Sequence, residues 1–280
     1  MTMRRTPTPA RGCVAAFFLL FASASLAIAP AHAEGISLRE KLAAFQDAFA
    51  DRLSRITETH VEFVDGTSVV IDDGRMKTHQ EKLKGADVED MFSQIYPLGK
   101  CAKGNAALNF DPGRVRSDAV MRALFGNTRA EALSKQESVN WFGQRLPFTR
   151  VGGADKALMR VAKDLAQLMD ADPGLAKFIK PAAGTFVWRN IAGTTRLSAH
   201  SFGAAIDINT KYSDYWRWSG GGPGKVPAYR NKIPLEIVEV FERHGFIWGG
   251  RWYHFDTMHF EYRPELIAIG RLAEERGCAG

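Results

Sequence analysis

Leu38, Leu42, Phe45, Phe49 and Leu53 recur every third or fourth residue. That is the period of an amphipathic helix laying one apolar stripe on a core. Ser37 precedes the run and Glu40 lies three positions on, so hydroxyl and carboxylate can satisfy the free N–H groups of a first turn. The pattern predicts a helix over residues 37–57. The period then changes to two. Val61, Phe63, Val69 and Ile71 flank Asp65-Gly66, which predicts a β-hairpin on an Asp-Gly turn. Asp72-Asp73-Gly74 ends it, and residues 75–99 are polar and mixed. Residues 34–100 therefore read as an N-terminal extension of a helix and a hairpin. His60 and His79 have no carboxylate or histidine at ligand spacing and read as surface or packing residues.

From Cys101 the texture changes, and residues 101–280 read as a separate domain. Asp111-Pro112-Gly113 is a turn. Residues 118–125 are helical in pattern. A second helix over 153–169 puts Leu158, Val161, Leu165 and Leu168 on one face and stops at Asp172-Pro173-Gly174. Residues 185–189 form a short β-like run. Residues 211–229 are a loop rich in Gly and aromatics, in which the tryptophans are expected to pack and Gly220-Gly221-Gly222 to move. Residues 234–244 predict a helix closed by Gly245, with His244 as a cap. Residues 246–262 are aromatic and strand-like. There is no internal repeat.

The first 33 residues carry a different signal. Arg4, Arg5 and Arg11 precede an apolar run over residues 14–28, and Ala31-His32-Ala33 places small residues where a signal peptidase reads. The run is short for a spanning helix of about 20 residues, so it reads as a cleaved secretory signal with no stable membrane insertion afterwards. The protein is then periplasmic or secreted. Cleavage lowers the formal net charge from +6 to +3, because three arginines and no acid leave with the segment. No basic run interleaves with aromatics, which excludes nucleic acid as a partner. Cys101 and Cys278 remain, and an oxidising compartment favours pairing them over two free thiols.

Two clusters carry chemistry: Ser198-Ala199-His200-Ser201-Phe202-Gly203-Ala204-Ala205-Ile206-Asp207, and Asp256-Thr257-Met258-His259-Phe260-Glu261. Zinc hydrolases commonly use three His or carboxylate ligands and leave a fourth position for water. Two His and one Asp compose such a set. His200 and Asp207 are seven residues apart, which suits a loop, a turn at Gly203 and a strand better than one helix face. Alternation along that strand would turn Ile206 and Ile208 toward the core, with Ala205 and Asp207 opposite. Either motif alone is weak, since a lone Asp in a Gly-rich turn is usually a turn former.

Together, S-A-H-S-F-G-A-A-I-D and D-T-M-H-F-E resemble the VanY-type zinc peptidases, which include D-alanyl-D-alanine carboxypeptidases and L-alanyl-D-glutamate endopeptidases. The resemblance extends over about residues 110–265 and includes Trp188-Arg189 and Trp248-Gly249-Gly250-Arg251-Trp252. It implies an α+β fold of the Hedgehog/DD-peptidase-like kind, a small antiparallel sheet with flanking helices and the metal on the sheet. It implies one Zn²⁺ held by His200, Asp207 and His259, with Asp256 as catalytic acid/base. An Asp at this place tilts the reading toward the endopeptidase branch. Arg189 matches an arginine that polarises the substrate carbonyl, with Arg196 a rival. Ser198 touches substrate or holds its turn. Glu261 reads as a residue orienting a ligand histidine, and His254 as a pocket wall or packing residue. The implied substrate is the peptidoglycan stem peptide, cut as an internal L-Ala–D-Glu bond or at the terminal D-alanine. A zinc-containing wall-binding module without turnover is the rival, against which the intact Asp256 argues. The expected mature N-terminus is Glu34. N-terminal sequencing of exported protein checks it, and a start at Met1 would mean an anchored protein instead.

Overall fold

The computed structural model describes residues 1–3, 35–191, 194–222 and 224–278, so the predicted signal segment lies outside the described residues apart from its first three. Helix α1 (Leu38–Ala48) begins as its sequence requires: Ser37 accepts from the Glu40 N–H while the Glu40 carboxylate accepts from the Ser37 N–H. It is shorter than expected. Phe49 caps it, and Leu53–Ile56 is strand β1. Leu53 and Ile56 face Phe63 and Val61 of β2 (His60–Phe63). Pairing with β2 therefore overrides the local helical period. The expected hairpin joins β2 to β3 (Ser68–Val70), with Gly66 at φ +86° in its turn.

The polar stretch after it holds two short helices, α2 (His79–Gly85) and α3 (Val88–Met91), each opened by a capping box at Thr78 and Asp87. Helix α4 (Asp118–Phe125) matches expectation, and α5 (Arg129–Ser134) follows. A hairpin of β4 (Gln136–Trp141) and β5 (Gln144–Thr149) has no counterpart in the sequence reading. Its turn is Phe142-Gly143 with φ of 49° and 92°, and Phe is not a residue that signals such a turn. Helix α6 (Ala154–Ala171) ends where Asp172 accepts from the Gly174 N–H. Then come α7 (Ala176–Ile179), β6 (Ala205–Asp207) and α8 (Leu235–Arg243). The aromatic stretch 246–262 resolves into two strands, β7 (Phe246–Trp248) and β8 (His259–Tyr262), before α9 (Pro264–Glu275). Residues 185–189 are not a regular strand. They run beside the first motif, with Val187 N–H donating to the His200 carbonyl and Arg189 N–H to Ser201 Oγ.

The fold is α+β, and its centre is the antiparallel sheet β6-β8-β7. One face carries Ile206, Phe246, Trp248, Phe260 and Tyr262 into a cluster with Leu158, Val161 and Leu165 of α6 and Ile237 and Phe241 of α8. Phe241 stacks on Phe260 at 3.8 Å. On β7, Ile247 points the other way, into a second cluster shared by Phe45, Phe49, Phe92, Phe202, Trp252 and Leu266. Residues 35–98 thus contribute to the core beneath the sheet. Cys101 and Cys278 form a disulfide, as the sequence favoured. Among the described residues no helix is long and apolar enough to cross a membrane.

Tyr96 is fully buried between these parts. Its Oη donates to Glu242 Oε1 at 2.6 Å and accepts from the Trp248 N–H at 2.9 Å. Tyr96→Phe leaves a buried amide and a buried carboxylate each short of a partner. An unfolding free energy lower by about 1–3 kcal/mol is expected by denaturant titration, and an unchanged midpoint would contradict this account.

Candidate functional site

Strand pairing assembles the site. In the ladder of β6 with β8, Asp207 lies directly opposite His259 and Ala205 opposite Glu261. Because side chains alternate, these four share the face away from Ile206 and Phe260. His200 arrives from a tight 3-10 turn over Ala199–Phe202. Ser198 Oγ caps that turn by accepting from the His200 N–H. Gly203, at φ +64°, reverses the chain into β6. A Cβ there would lie 1.9 Å from Gln136 Oε1, and Gln136 donates to the Phe202 and Ala132 carbonyls. The unpredicted β4 hairpin therefore buttresses the turn that presents His200.

His200 Nε2 and His259 Nδ1 are 3.2 Å apart, and Asp207 Oδ1 lies 3.2 and 2.8 Å from them. The outer ring nitrogens are already committed. His200 Nδ1 donates to the Thr185 carbonyl at 2.9 Å, and His259 Nε2 donates to Glu261 Oε1 at 3.0 Å. In neutral rings the inner nitrogens are then lone pairs, and both face a carboxylate oxygen. Three acceptors at such distances repel unless a cation lies among them. Ligand atoms held tetrahedrally at about 2.0–2.1 Å from one zinc lie roughly 3.3 Å apart, so the trio fits that ion. The same need appears in the titration behaviour. Burial disfavours a charged His259, yet the bonds to Asp207 and Glu261 outweigh it and raise the ring to about 10. Burial alone would raise the Asp207 carboxyl, but the two histidines hold it far below the ordinary range.

Glu261 is itself buried and fastened by Arg116, whose Nη1 donates to Oε1 at 2.6 Å. Burial opposes its charge, but Arg116 and His259 hold it well below the usual carboxylate range. The expected orienting role of Glu261 thus has a geometric basis, and ligand histidines usually have such an acceptor behind them.

Around the trio is a cavity of about 130 Å³ lined by Arg114, Arg189, Arg196, Tyr215, Trp216 and Asp256, among others. Asp256 Oδ1 is buried with no hydrogen-bond partner. Burial pushes its carboxyl up to about 7, with His259 pulling the other way and Asp207 adding to the rise. Arg189 is exposed and Arg196 half-buried. Neither forms an ion pair among the described residues, and the only polar contact of the Arg196 head is a 3.2 Å bond to the Arg114 carbonyl. Burial and the nearby Arg116 and Arg114 lower Arg196 to about 10. His254 also lines the cavity, its ring edge-on to Trp216 with centroids 4.9 Å apart. In the aromatic loop Trp216 is buried, but Trp218 is 66% exposed and only edges Tyr215. Its expected burial does not occur. His244 pairs with Asp164 of α6 at 2.8 Å.

The sequence reading missed Asp111, Arg114, Arg116 and Thr185. Arg114 and Arg116 follow the Asp-Pro-Gly turn with no motif around them, and Thr185 contributes through its backbone. His79 is not a simple surface residue, since its Nε2 lies 3.5 Å from the buried Asp111. Asp72, Asp73 and Asp87 also approach one another. The Lys77 ammonium reaches Asp73, Asp87 and Asp90 within 2.9 Å and so supplies the positive charge there.

The sheet thus bears a His–Asp–His trio that could hold a metal ion, with Asp256 on the wall of the same cavity. Residues 192–262 match a family model described as D-alanyl-D-alanine carboxypeptidase. That match supports the VanY-type family read from the two motifs, and it spans the three acceptors, Asp256 and Glu261 but not Arg189. No curated protein and no solved structure matches the chain.

Glu261→Gln keeps the shape behind His259 but removes the charge. Divalent-metal affinity, measured by chelator competition on folded protein, is expected to fall about 10- to 100-fold. Undiminished affinity would mean that Glu261 serves only the ion pair with Arg116.

Proposed function

We propose that the chain is an exported zinc metallopeptidase that hydrolyses an amide bond in the peptidoglycan stem peptide. The observation that carries this reading is the convergence of three acceptor atoms in one cavity with Asp256, whose Oδ1 is buried without a hydrogen-bond partner. His200, Asp207 and His259 would hold the ion. When bound, zinc supplies Lewis acidity toward the scissile carbonyl and acidifies water.

The protein's own groups account for the rest. Asp256, poised near neutrality by burial, accepts a proton from the attacking water and returns it to the leaving amine. Thr185 and Glu261 keep the two ring lone pairs inward. Arg196 and Arg189, guanidinium groups with no carboxylate partner among the described residues, suit a substrate that brings negative charge. One of them offsets the charge growing on the carbonyl oxygen. A stem peptide, rich in carboxylates, meets that requirement. The matched family's description favours release of terminal D-alanine, whereas Asp in place of Glu at position 256 favours an internal L-Ala–D-Glu bond. Mass spectrometry of muropeptide products distinguishes them. Export rests on the apolar run and Ala31-His32-Ala33.

Asp256→Asn is expected to retain about one zinc per chain by elemental analysis and lose about 100- to 10,000-fold in turnover. The base works only when ionised, so wild-type kcat/KM should fall as pH drops below about 7. A bound cation moves that limb lower, not higher. Cleavage by the Asn variant at the wild-type rate would remove Asp256 from this role. Zinc-loaded, folded wild type that cuts no stem peptide would overturn the enzyme.

A further inference from the structure

Asp111 is completely buried, and its carboxylate is spent on the pocket wall. Oδ2 accepts from His254 Nδ1 at 2.7 Å and from Arg114 Nη1 at 3.2 Å, and Oδ1 accepts from the His254 backbone N–H at 2.9 Å. His79 Nε2 approaches the same Oδ2 from α2 at 3.5 Å. The Asp111 N–H in turn donates to Gln94 Oε1 at 2.8 Å. Burial alone would raise this carboxyl, but His254, His79 and Arg114 hold it far below the ordinary range, so it acts as an acceptor. Nδ1 of His254 must therefore carry the proton that joins them.

The opposite ring nitrogen, Nε2, has no hydrogen-bond partner among the described residues and is not among the buried polar atoms. The ring lies on the cavity wall two residues before Asp256, and Trp216 fixes its plane. A packing histidine would not need a buried carboxylate gripping both its ring and its backbone. An imidazole with one nitrogen bound behind it and the other free toward a cavity is a presented acceptor.

We propose that His254 contacts substrate, its Nε2 lone pair accepting a hydrogen bond from a backbone N–H of the bound peptide, and that Asp111 is the positioning residue that sets this tautomer. The proposal rests on the stem-peptide reading of the cavity and adds the residue that orients the peptide there. Arg114 shares the Asp111 carboxylate and Gln94 accepts from the Asp111 N–H, so the N-terminal extension takes part in holding the wall.

The test uses the full zinc-loaded chain and a synthetic stem pentapeptide ending in D-Ala-D-Ala. Asp111→Asn keeps the shape, but its amide N–H can face Nδ1 and turn the tautomer around. His254→Phe keeps the ring on Trp216 and removes both nitrogens. Each is expected to raise KM about five- to tenfold, with kcat changed less than about twofold, the pattern of a contact made equally in ground and transition states. Affinity for the uncut pentapeptide, measured calorimetrically in an Asp256→Asn background, should weaken by the same factor. Nitrogen-15 NMR of the neutral ring should find the proton on Nδ1 in wild type and on Nε2 in Asp111→Asn. If His254→Phe leaves KM and affinity unchanged, or lowers kcat alone, or the wild-type ring is protonated on Nε2, the proposal is overturned. Because His254→Phe leaves Asp111 in place, it decides the matter even if Asp111→Asn fails to fold. If wild type binds the pentapeptide without cutting it and His254→Phe weakens that binding, the contact stands and the peptidase reading falls. If the pentapeptide does not bind wild type, both fall.

Discussion

Asp207 opposite His259 across one antiparallel ladder is the contact on which the rest of this molecule depends. It brings a carboxylate oxygen and a ring nitrogen to 2.8 Å, and His200 closes the triangle from the adjoining turn. Three acceptors cannot share so small a space without a positive charge among them. Everything packed around the sheet keeps them there. The apolar face of β6 and β8 is anchored on α6 and α8, so neither strand can slip by a residue without turning Asp207 and His259 into the core.

The polar side is braced with similar redundancy. Thr185 holds one histidine through a carbonyl, and Glu261 holds the other through a carboxylate that Arg116 fixes in turn. Asp111 fastens His254 and Arg114. Asp256 Oδ1 is buried without a hydrogen-bond partner, and the group forms no ion pair among the described residues. An oxygen so placed is costly for the fold, and burial raises the carboxyl toward neutral pH. Ion pairs hold Glu261 and Asp111 in place, while the proposed acid/base, Asp256, forms none among the described residues.

The N-terminal residues have a place in this scheme that their composition does not suggest. Phe45, Phe49 and Phe92 enter the same apolar cluster as Ile247 and Trp252. Tyr96 bonds to Trp248 N–H on β7, and His79 reaches the carboxylate behind the cavity wall. Residues 35–98 therefore stiffen the floor beneath the strands that carry the acceptors.

Local chemistry was legible in the sequence because it is local. Ser37 and Glu40 lie within one turn, Asp65-Gly66 within one hairpin, and the residues of each motif within ten positions, so short patterns suffice to name the helix start, the turn and the three metal-binding candidates. The two faces of β6, Ile206 in the apolar layer and Asp207 on the side away from it, followed from alternation alone. Other features depended on partners far along the chain. Leu53 to Ile56 has a helical stripe but pairs as a strand with residues that local period cannot see. The β4 hairpin turns on Phe142-Gly143, and it packs Val139, Trp141, Leu146 and Phe148 into the cluster with α6 and α8. Arg116 and Glu261 are 145 residues apart and Asp111 and His254 are 143 apart. Charges so distant in sequence become partners only when the sheet and its two apolar layers enclose them. Burial, which makes those pairings strong and leaves Asp256 without one, exists only in the folded chain.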